Sequence, residues 1–450
     1  MSTFLHVLEV VSDKCKGRLA CVRACPTEAI RFRNGKVSIN PMKCIYCGDC
    51  IVACPEGAIQ ARTDPWESVK DFEFKVAVVS PSLFGQFPRS ITPFDIVKGL
   101  LAIGFDAVYD LSLESEIYNR AVQDYLAEYT GPLPLISSNC PVIVRLVQVS
   151  YPDMVDQIIP LQPPREIGGR EAKRKYSQRL GIPQSKVGAI YITPCPAKTA
   201  SIKQPAEGVK SHLDLGLSIR DIYNPLLSAI TRNKKSSGVT NPVLPESELR
   251  SKLYLGLALT GGLSYALKQG RYITVAQLPS IIKVIEDIEK GKIRSIDFLE
   301  CYSCMGGCIG GPLTVDDLFV ARSKLEKVIE MIGRENRNMD EVVDQVYVKG
   351  DYFFEQPLKP RHIEPEDLSI TEQVQRVKTR EKFISMLPGI DCALCGCPSC
   401  SVFANDVAGG EASPKDCPLL SSERLESLRK IYKISGESGK TDGRNSPQEP

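Results

Sequence analysis

Between residues 75 and 365 the chain alternates two hydrophobic patterns. Four short apolar, β-branched runs, "FKVAVVSPS", "LPLISSNCP", "VGAIYITPCP" and "SIDFLECYSC", each end in a loop with Ser, Pro or Cys. Between them lie stretches with apolar residues at helical spacing, such as "VIVRLVQV", "LPSIIKVIEDIEK" and "ARSKLEKVIEMI". Strands alternating with helices predict a mostly parallel α/β sheet. In such sheets, sites form at the carboxyl ends of the strands. The stretch 231–248, "TRNKKSSGVTNPVLPESE", breaks the pattern as a polar, Pro-containing surface insertion.

The flanks read differently. Residues 1–62 hold two similar half-repeats, "CVRACPTEAI" and "CIVACPEGAI". Residues 372–434 have helical patterning around a cysteine-rich loop, and the tail "SGESGKTDGRNSPQEP" has the composition of a disordered segment. The expected organisation is a small duplicated domain at 1–65, a central α/β domain at 72–365, a helical domain at 372–434 and a tail at 435–450.

Composition narrows the chemistry. A chain of 450 residues has room for two or three domains and a sizeable core. The net charge of +2 gives no reason to expect nucleic acid or a membrane surface as partner. No run of 18 apolar residues and no signal-peptide pattern is present, so a cytoplasmic location is expected. In that reducing compartment, 17 cysteines imply metal or redox chemistry rather than disulfides. They fall into three groups, and none of the 3 His stands at zinc-finger spacing. Dense thiolate-only groups favour iron–sulfur over zinc.

The first group contains "CIYCGDCIVACP", which places Cys44, Cys47, Cys50, Cys54 and Pro55 in the full C-x2-C-x2-C-x3-C-P pattern of a two-cluster ferredoxin. The preceding "CKGRLACVRACP" has Cys15, Cys21, Cys25 and Pro26 in place, with Arg18 where a cysteine belongs. In such modules the fourth cysteine of each motif serves the other cluster. Cys44, Cys47, Cys50 and Cys25 therefore make one complete [4Fe–4S] set. Cys15, Cys21 and Cys54 make an altered set, suited to a [3Fe–4S] centre or to a [4Fe–4S] centre with another ligand. The last group, Cys392-x2-Cys395-x4-Cys400-x16-Cys417, suits one more [4Fe–4S] centre, with zinc as the alternative. Cys301 and Cys397 remain unassigned.

The central cysteines are far apart in sequence and alike in setting. Cys140, Cys195, Cys304 and Cys308 each follow a predicted strand, and Cys140 and Cys195 precede a proline suited to the first turn of a helix. Helix N-termini favour thiolates and other anions. Gly306, Gly307, Gly310 and Gly311 are expected to let the backbone approach a bulky group. The alternative is four unrelated core cysteines.

These segments, "SSNCP", "TPCPAK" and "ECYSCMGGCIGG", resemble in order the three signatures of [FeFe]-hydrogenases: T-S-C-C-P, M-P-C-x-x-K and E-x-M-x-C-x-x-G-C-x-G-G. "GFDAVYD", "VRLVQVSYPDM" and "TGGLSYAL" support the likeness, which with the N-terminal module covers about residues 1–365. The resemblance implies that Cys140, Cys195, Cys304 and Cys308 hold a [4Fe–4S] cubane. Cys308 would also bridge to a two-iron unit with CO and cyanide, the whole being the H-cluster. It implies that Lys198 bonds one cyanide, that Pro81 and Ser82 touch the other, and that the altered N-terminal set lies nearest this site. The "LPGID" and cysteines of residues 385–420 resemble the small [4Fe–4S] domain of corrinoid iron–sulfur proteins and sensory hydrogenase-like proteins.

The departures from the family pattern concern proton movement. Asn139 replaces the cysteine that donates protons, and an amide cannot act as a general acid. Thr193 and Tyr302 replace methionines, and Ser201 replaces a glutamate. Val122 and Tyr125 fall where the family has relay glutamates. The resemblance then implies a hydrogen or redox sensor with weak hydrogenase activity. It would work with a ferredoxin-like redox partner or a separate signalling protein, with H2 as a ligand. The alternatives are a genuine ferredoxin-linked hydrogenase and a non-catalytic hydrogenase-like assembly or electron-transfer protein.

Overall fold

The computed structural model describes residues 6–236, 251–267, 270–332, 339–361 and 369–420. Its strands, in chain order, are β1 (Leu8–Val10), β2 (Ile30–Arg33), β3 (Lys36–Ile39), β4 (Ile59–Ala61), β5 (Phe74–Val79), β6 (Ala107–Tyr109), β7 (Leu135–Ile136), β8 (Val187–Thr193), β9 (Leu215–Ser218), β10 (Tyr272–Ala276) and β11 (Phe298–Tyr302).

The central region has two lobes, each built on a parallel sheet. One sheet has the order β6-β5-β8-β9 and the other β10-β11-β7. Every pairing in them is parallel, as alternating strands and helices predict. All seven residues of β8 are buried, which explains its unbroken apolar run. The predicted helices form at Pro141–Ser150, Leu278–Glu289 and Leu318–Ile332. In the second of these Leu278, Ile281 and Ile285 repeat on one face, and that face is buried. The run "LPLISSNCP" yields only the two residues of β7. Ser137 N–H still donates to the Leu299 carbonyl at 3.0 Å before the chain turns toward Cys140.

The N-terminal module carries its duplication into structure. β1 pairs antiparallel with β4, and β2 with β3. Each half has a short helix, Ala20–Arg23 and Asp49–Ala53, preceded by a left-handed residue, Leu19 or Gly48. The module shares a core with the central region: Ile45 and the fully buried Tyr46 pack with Val142, Ile143 and Leu146. The Arg145 guanidinium lies 5.0 Å from the Tyr46 ring centroid.

In the C-terminal part, helices Ile370–Ile384 and Cys400–Ala408 pack through Phe383 and Phe403 around the cysteine loop. Residues 421–434 and the expected tail at 435–450 lie outside the described residues. So do residues 237–248 of the expected insertion. Its first part, Thr231–Ser236, is the end of helix Ile219–Ser236 rather than a loop. Lys234 there pairs with Asp95 at 3.0 Å, which ties the helix end to the first lobe.

Candidate functional site

Strands β5, β7, β8 and β11 all end at one place between the two lobes. After β8, Thr193 accepts from Cys195 N–H at 3.1 Å and donates to the Cys195 carbonyl at 3.0 Å. This local turn sets Cys195 as the cap of helix Pro196–Lys203, with proline in the first turn. Cys140 caps helix Pro141–Ser150 in the same manner. After β11, Cys304 and Cys308 follow on a glycine-rich loop. Burial raises the Cys195 thiol to about 12, and its neighbours Cys140 and Cys308 act on the same group. Burial raises Cys304 as well, with Cys195, Cys140 and Cys308 around it. The four central cysteines therefore converge, although up to 168 residues separate them (Cys140 to Cys308).

The glycines of this loop stand in tight contact with neighbouring backbone. A Cβ at Gly307 would stand 2.6 Å from the Ala258 carbonyl oxygen, at Gly310 2.3 Å from that of Met305, and at Gly311 2.4 Å from that of Pro194. Gly307 also has φ +101°. They admit close approach of neighbouring backbone, which holds the Cys304–Cys308 loop against Ala258 and Pro194.

A small cavity adjoins Cys308, lined also by Pro81, Asn139, Arg165, Tyr191 and Lys198. Lys198 is buried, with Nζ 3.4 Å from both the Cys308 sulfur and the Tyr191 hydroxyl. Burial works to strip its proton; the facing Cys308 sulfur works to keep it and prevails, so the ammonium is held. Asn139 is fixed by its backbone, its carbonyl accepting from Arg165 at 3.0 Å and its N–H donating to Ser137 at 3.3 Å. Ser80 rather than Ser82 lines the cavity. The hydroxyls of both are buried without a protein partner, as is Arg165 Nε. Orphaned donors of this kind fit an anionic or polar group held there.

The replaced residues have settled into structural roles. Ser201 donates to the Lys198 carbonyl at 2.8 Å. Tyr302 is buried and donates to Glu300 at 2.8 Å, while Glu300 accepts from the backbone of Leu263 and Ser264. Val122 is fully buried among apolar side chains, and the Tyr125 ring packs on Tyr129 and Phe353. No acid stands at either place.

In the N-terminal module the cysteines group as the crossing rule requires. Burial raises Cys44 to about 12, with Cys25 beside it, and raises Cys47 and Cys50, which also neighbour Cys25. Burial raises Cys21, whose neighbours are Cys54 and Cys15. The two fourth cysteines are equivalent: Cys25 accepts from Ala29 N–H at 3.2 Å and Cys54 from Ala58 N–H at 3.3 Å. Arg18 is exposed and pairs with Glu56 at 2.9 Å.

The placement of the sets corrects one expectation. The complete set's loop, not the altered one, abuts the central site. A Cβ on Gly48, between Cys47 and Cys50, would stand 2.7 Å from Pro312 and 3.5 Å from Pro196, next to Cys195. The altered set's loop faces away, with Gly17 under the Phe32 ring.

At the C-terminus, burial raises Cys417, and Cys395 and Cys392 neighbour it. Cys400 begins a helix capped by Ser399, and its N–H donates to Asp391 at 2.6 Å. Cys397 is fully buried and touches Asp406 at 3.3 Å and Arg33 at 3.2 Å. Its contact to Cys395 lowers that thiol below its ordinary value. Cys301 is buried on β11, and burial raises its thiol.

The residues present fit iron–sulfur centres. Buried thiolates need a compensating positive charge, and iron supplies it. Among the described residues no three metal-binding side chains converge at single-ion spacing, and an iron–sulfur core is wider than one ion. Sequence reasoning missed Ser80, Arg165 and Tyr191. Nothing local marks them, because the cavity is assembled from four separate strand ends. Among the described residues no helix is long and apolar enough to cross a membrane.

Three regions of the chain match known protein families. Residues 8–55 match the 4Fe-4S dicluster domain, residues 73–268 the iron only hydrogenase large subunit, C-terminal domain, and residues 387–419 an Fe-S cluster family. The NADP-reducing hydrogenase subunit HndD of Solidesulfovibrio fructosivorans is 23% identical over 60% of this chain and 55% of its own. The periplasmic [Fe] hydrogenase large subunit of Nitratidesulfovibrio vulgaris is 25% identical over 68% of this chain and 86% of its own. A cytosolic Fe-S cluster assembly factor NAR1 homolog of Schizosaccharomyces japonicus is 31% identical over 36% of this chain and 37% of its own. The chain thus spans about half the length of HndD. With its two-lobed parallel architecture and its flanking iron–sulfur domains, the chain is a multi-cluster iron–sulfur protein whose central region is similar to the large subunit of [FeFe]-hydrogenases and diverges from it around Cys308.

Proposed function

We propose that this chain is a cytoplasmic hydrogen or redox sensor that turns hydrogen over slowly. The observation that carries this reading is Asn139 in the wall of the Cys308 cavity, beside Lys198. Cys140, Cys195, Cys304 and Cys308 would hold the cubane of an H-cluster, which supplies the hydrogen chemistry when bound. Lys198 holds a positive charge in the cavity, and Ser80 and Pro81 line it as well. Asn139 offers an amide where a proton must be handed over, and Val122 and Tyr125 offer no carboxylate behind it. A positioned acid or base contributes about 10²–10⁴-fold, so the same shell binds well and turns over poorly. A change of charge at the central site would be read by a separate signalling protein or passed to a ferredoxin-like carrier.

The test is a hydrogen uptake and evolution assay on matured protein with a strong reductant. The proposal expects turnover at least 10²-fold below a hydrogenase carrying the usual cysteine; turnover equal to that enzyme would refute it. The similarity to the NAR1 homolog favours a second reading, a non-catalytic assembly factor with a cubane and no two-iron unit. Iron content and infrared spectra separate the two.

A further inference from the structure

The C-terminal cysteine loop does not stand apart from the rest of the chain. It lies along β2 of the N-terminal module. Phe32 N–H donates to the Gly396 carbonyl at 3.0 Å. The contact is so close that a Cβ at Gly396 would stand 1.8 Å from the Phe32 oxygen, and Gly396 has φ +76°. Gly396 sits between Cys395 and Cys397. On the other side of Phe32, its ring covers Gly17, two residues from Cys15; a Cβ there would stand 3.0 Å from the ring. A single residue, Phe32, therefore separates the C-terminal cysteine loop from the loop of the altered set.

Charged side chains hold this junction. Arg31 forms a bidentate pair with Asp406, at 2.6 and 3.1 Å. Arg33 reaches Asp406 at 2.6 Å, the Cys397 sulfur at 3.2 Å and the Cys395 carbonyl at 3.3 Å. Asp406 is buried, and both arginines are largely covered. Ser399 adds a bond to Glu28 at 3.3 Å. Buried bidentate pairs of this kind fix orientation, and losing one partner strands the other charge. Cys397, unassigned by spacing, is the small buried floor on which these charges meet.

We propose that Arg31, Arg33 and Asp406 form a latch that keeps the C-terminal cysteine loop in electron-exchange contact with the Cys15, Cys21 and Cys54 set, making that loop the outer terminal of one wire. The order along the wire is the C-terminal loop, the altered set, the complete set and then the central site, which Gly48 touches through Pro196 and Pro312. An electron passed inward oxidises one set as it reduces the next, and no bond is made or broken. A low-potential one-electron carrier of the ferredoxin class supplies it at the C-terminal end. This inference rests on the iron–sulfur reading of the cysteine sets and is independent of hydrogen chemistry.

The test uses the full chain with its iron–sulfur centres, reduced by dithionite and examined by EPR line shape and power saturation. Cys392→Ser removes the C-terminal centre. The expected result is loss of the spin–spin broadening on the N-terminal signals, which then saturate at severalfold lower power. In the double variant Arg31→Gln/Arg33→Gln, iron content is expected to stay at the wild-type level while the same broadening is lost. N-terminal signals identical in wild type and Cys392→Ser would overturn the wire, and broadening retained in the double variant would overturn the latch. Neither signal needs a two-iron unit or hydrogen, so failure here is distinguishable from failure of the sensor reading.

Discussion

Glu114 offers a quantitative test of the electrostatics beside the central cavity. It lies on helix Ser112–Glu128, between Leu111 and Ser115, which line the cavity. The carboxyl is buried; Oε1 accepts from the Tyr109 hydroxyl at 2.7 Å and Oε2 has no partner. Burial raises it from the ordinary 4.5 to about 8. A folded-state value above the unfolded one means that the folded protein binds the extra proton. Its stabilising effect is complete below about 4.5 and disappears as pH rises through 8. Linkage puts the loss between pH 6 and pH 8.5 at about 2–3 kcal/mol. For a domain of this size that corresponds to roughly 3–5 °C in the unfolding midpoint. Glu114→Gln keeps the acceptor for Tyr109 and removes the proton. The assay is anaerobic thermal unfolding of cluster-loaded protein at a single scan rate, since such unfolding is often irreversible. The variant's advantage over wild type is expected to grow by that margin between pH 6 and pH 8.5. Parallel pH profiles for the two proteins would refute the reasoning.

Three further outcomes follow from the same geometry. Asn139→Cys restores a proton donor at the cavity wall, and hydrogen turnover is expected to rise by about 10²-fold or more, with no rise counting against the proton-relay account. Arg18→Cys completes the outer N-terminal set, so EPR is expected to change from a three-iron or irregular signal to that of an ordinary [4Fe–4S] centre; an unchanged signal means position 18 is not a ligand site. Gly307→Ala forces a Cβ against the Ala258 carbonyl at positive φ, with an expected loss of roughly 1–3 kcal/mol in denaturant unfolding and of iron at the central site.

Much of this site is legible in the sequence because its parts are local. The cysteine sets follow from motif spacing, and the crossing of Cys25 and Cys54 follows from duplication. The parallel pairing follows from alternating patterns, down to the helix face of Leu278, Ile281 and Ile285; the division into two sheets does not. What could not be read depends on contacts between distant segments. Arg31 and Asp406 are 375 residues apart, and each looks like an ordinary surface charge in its own segment. Glu114 sits in "SLESEIY", where no neighbour announces its burial. The Cβ directions of Gly307, Gly310 and Gly311 meet the Ala258, Met305 and Pro194 carbonyls, contacts that no local pattern announces. The position of the altered set was inferred from likeness alone, and packing of Gly48 on Pro196 and Pro312 reverses it. In the proposed wire Arg18 thus stands in the outer part, not at the step beside the central site.

The central claim is that the shell of Cys140, Cys195, Cys304, Cys308 and Lys198 still holds a two-iron unit although its proton path has been replaced. Infrared spectroscopy of the protein after anaerobic maturation tests it most directly. The account predicts bands of iron-bound CO and cyanide, with the cyanide bands shifted in Lys198→Met. A spectrum without such bands, in protein whose four-iron sets are filled, would contradict it.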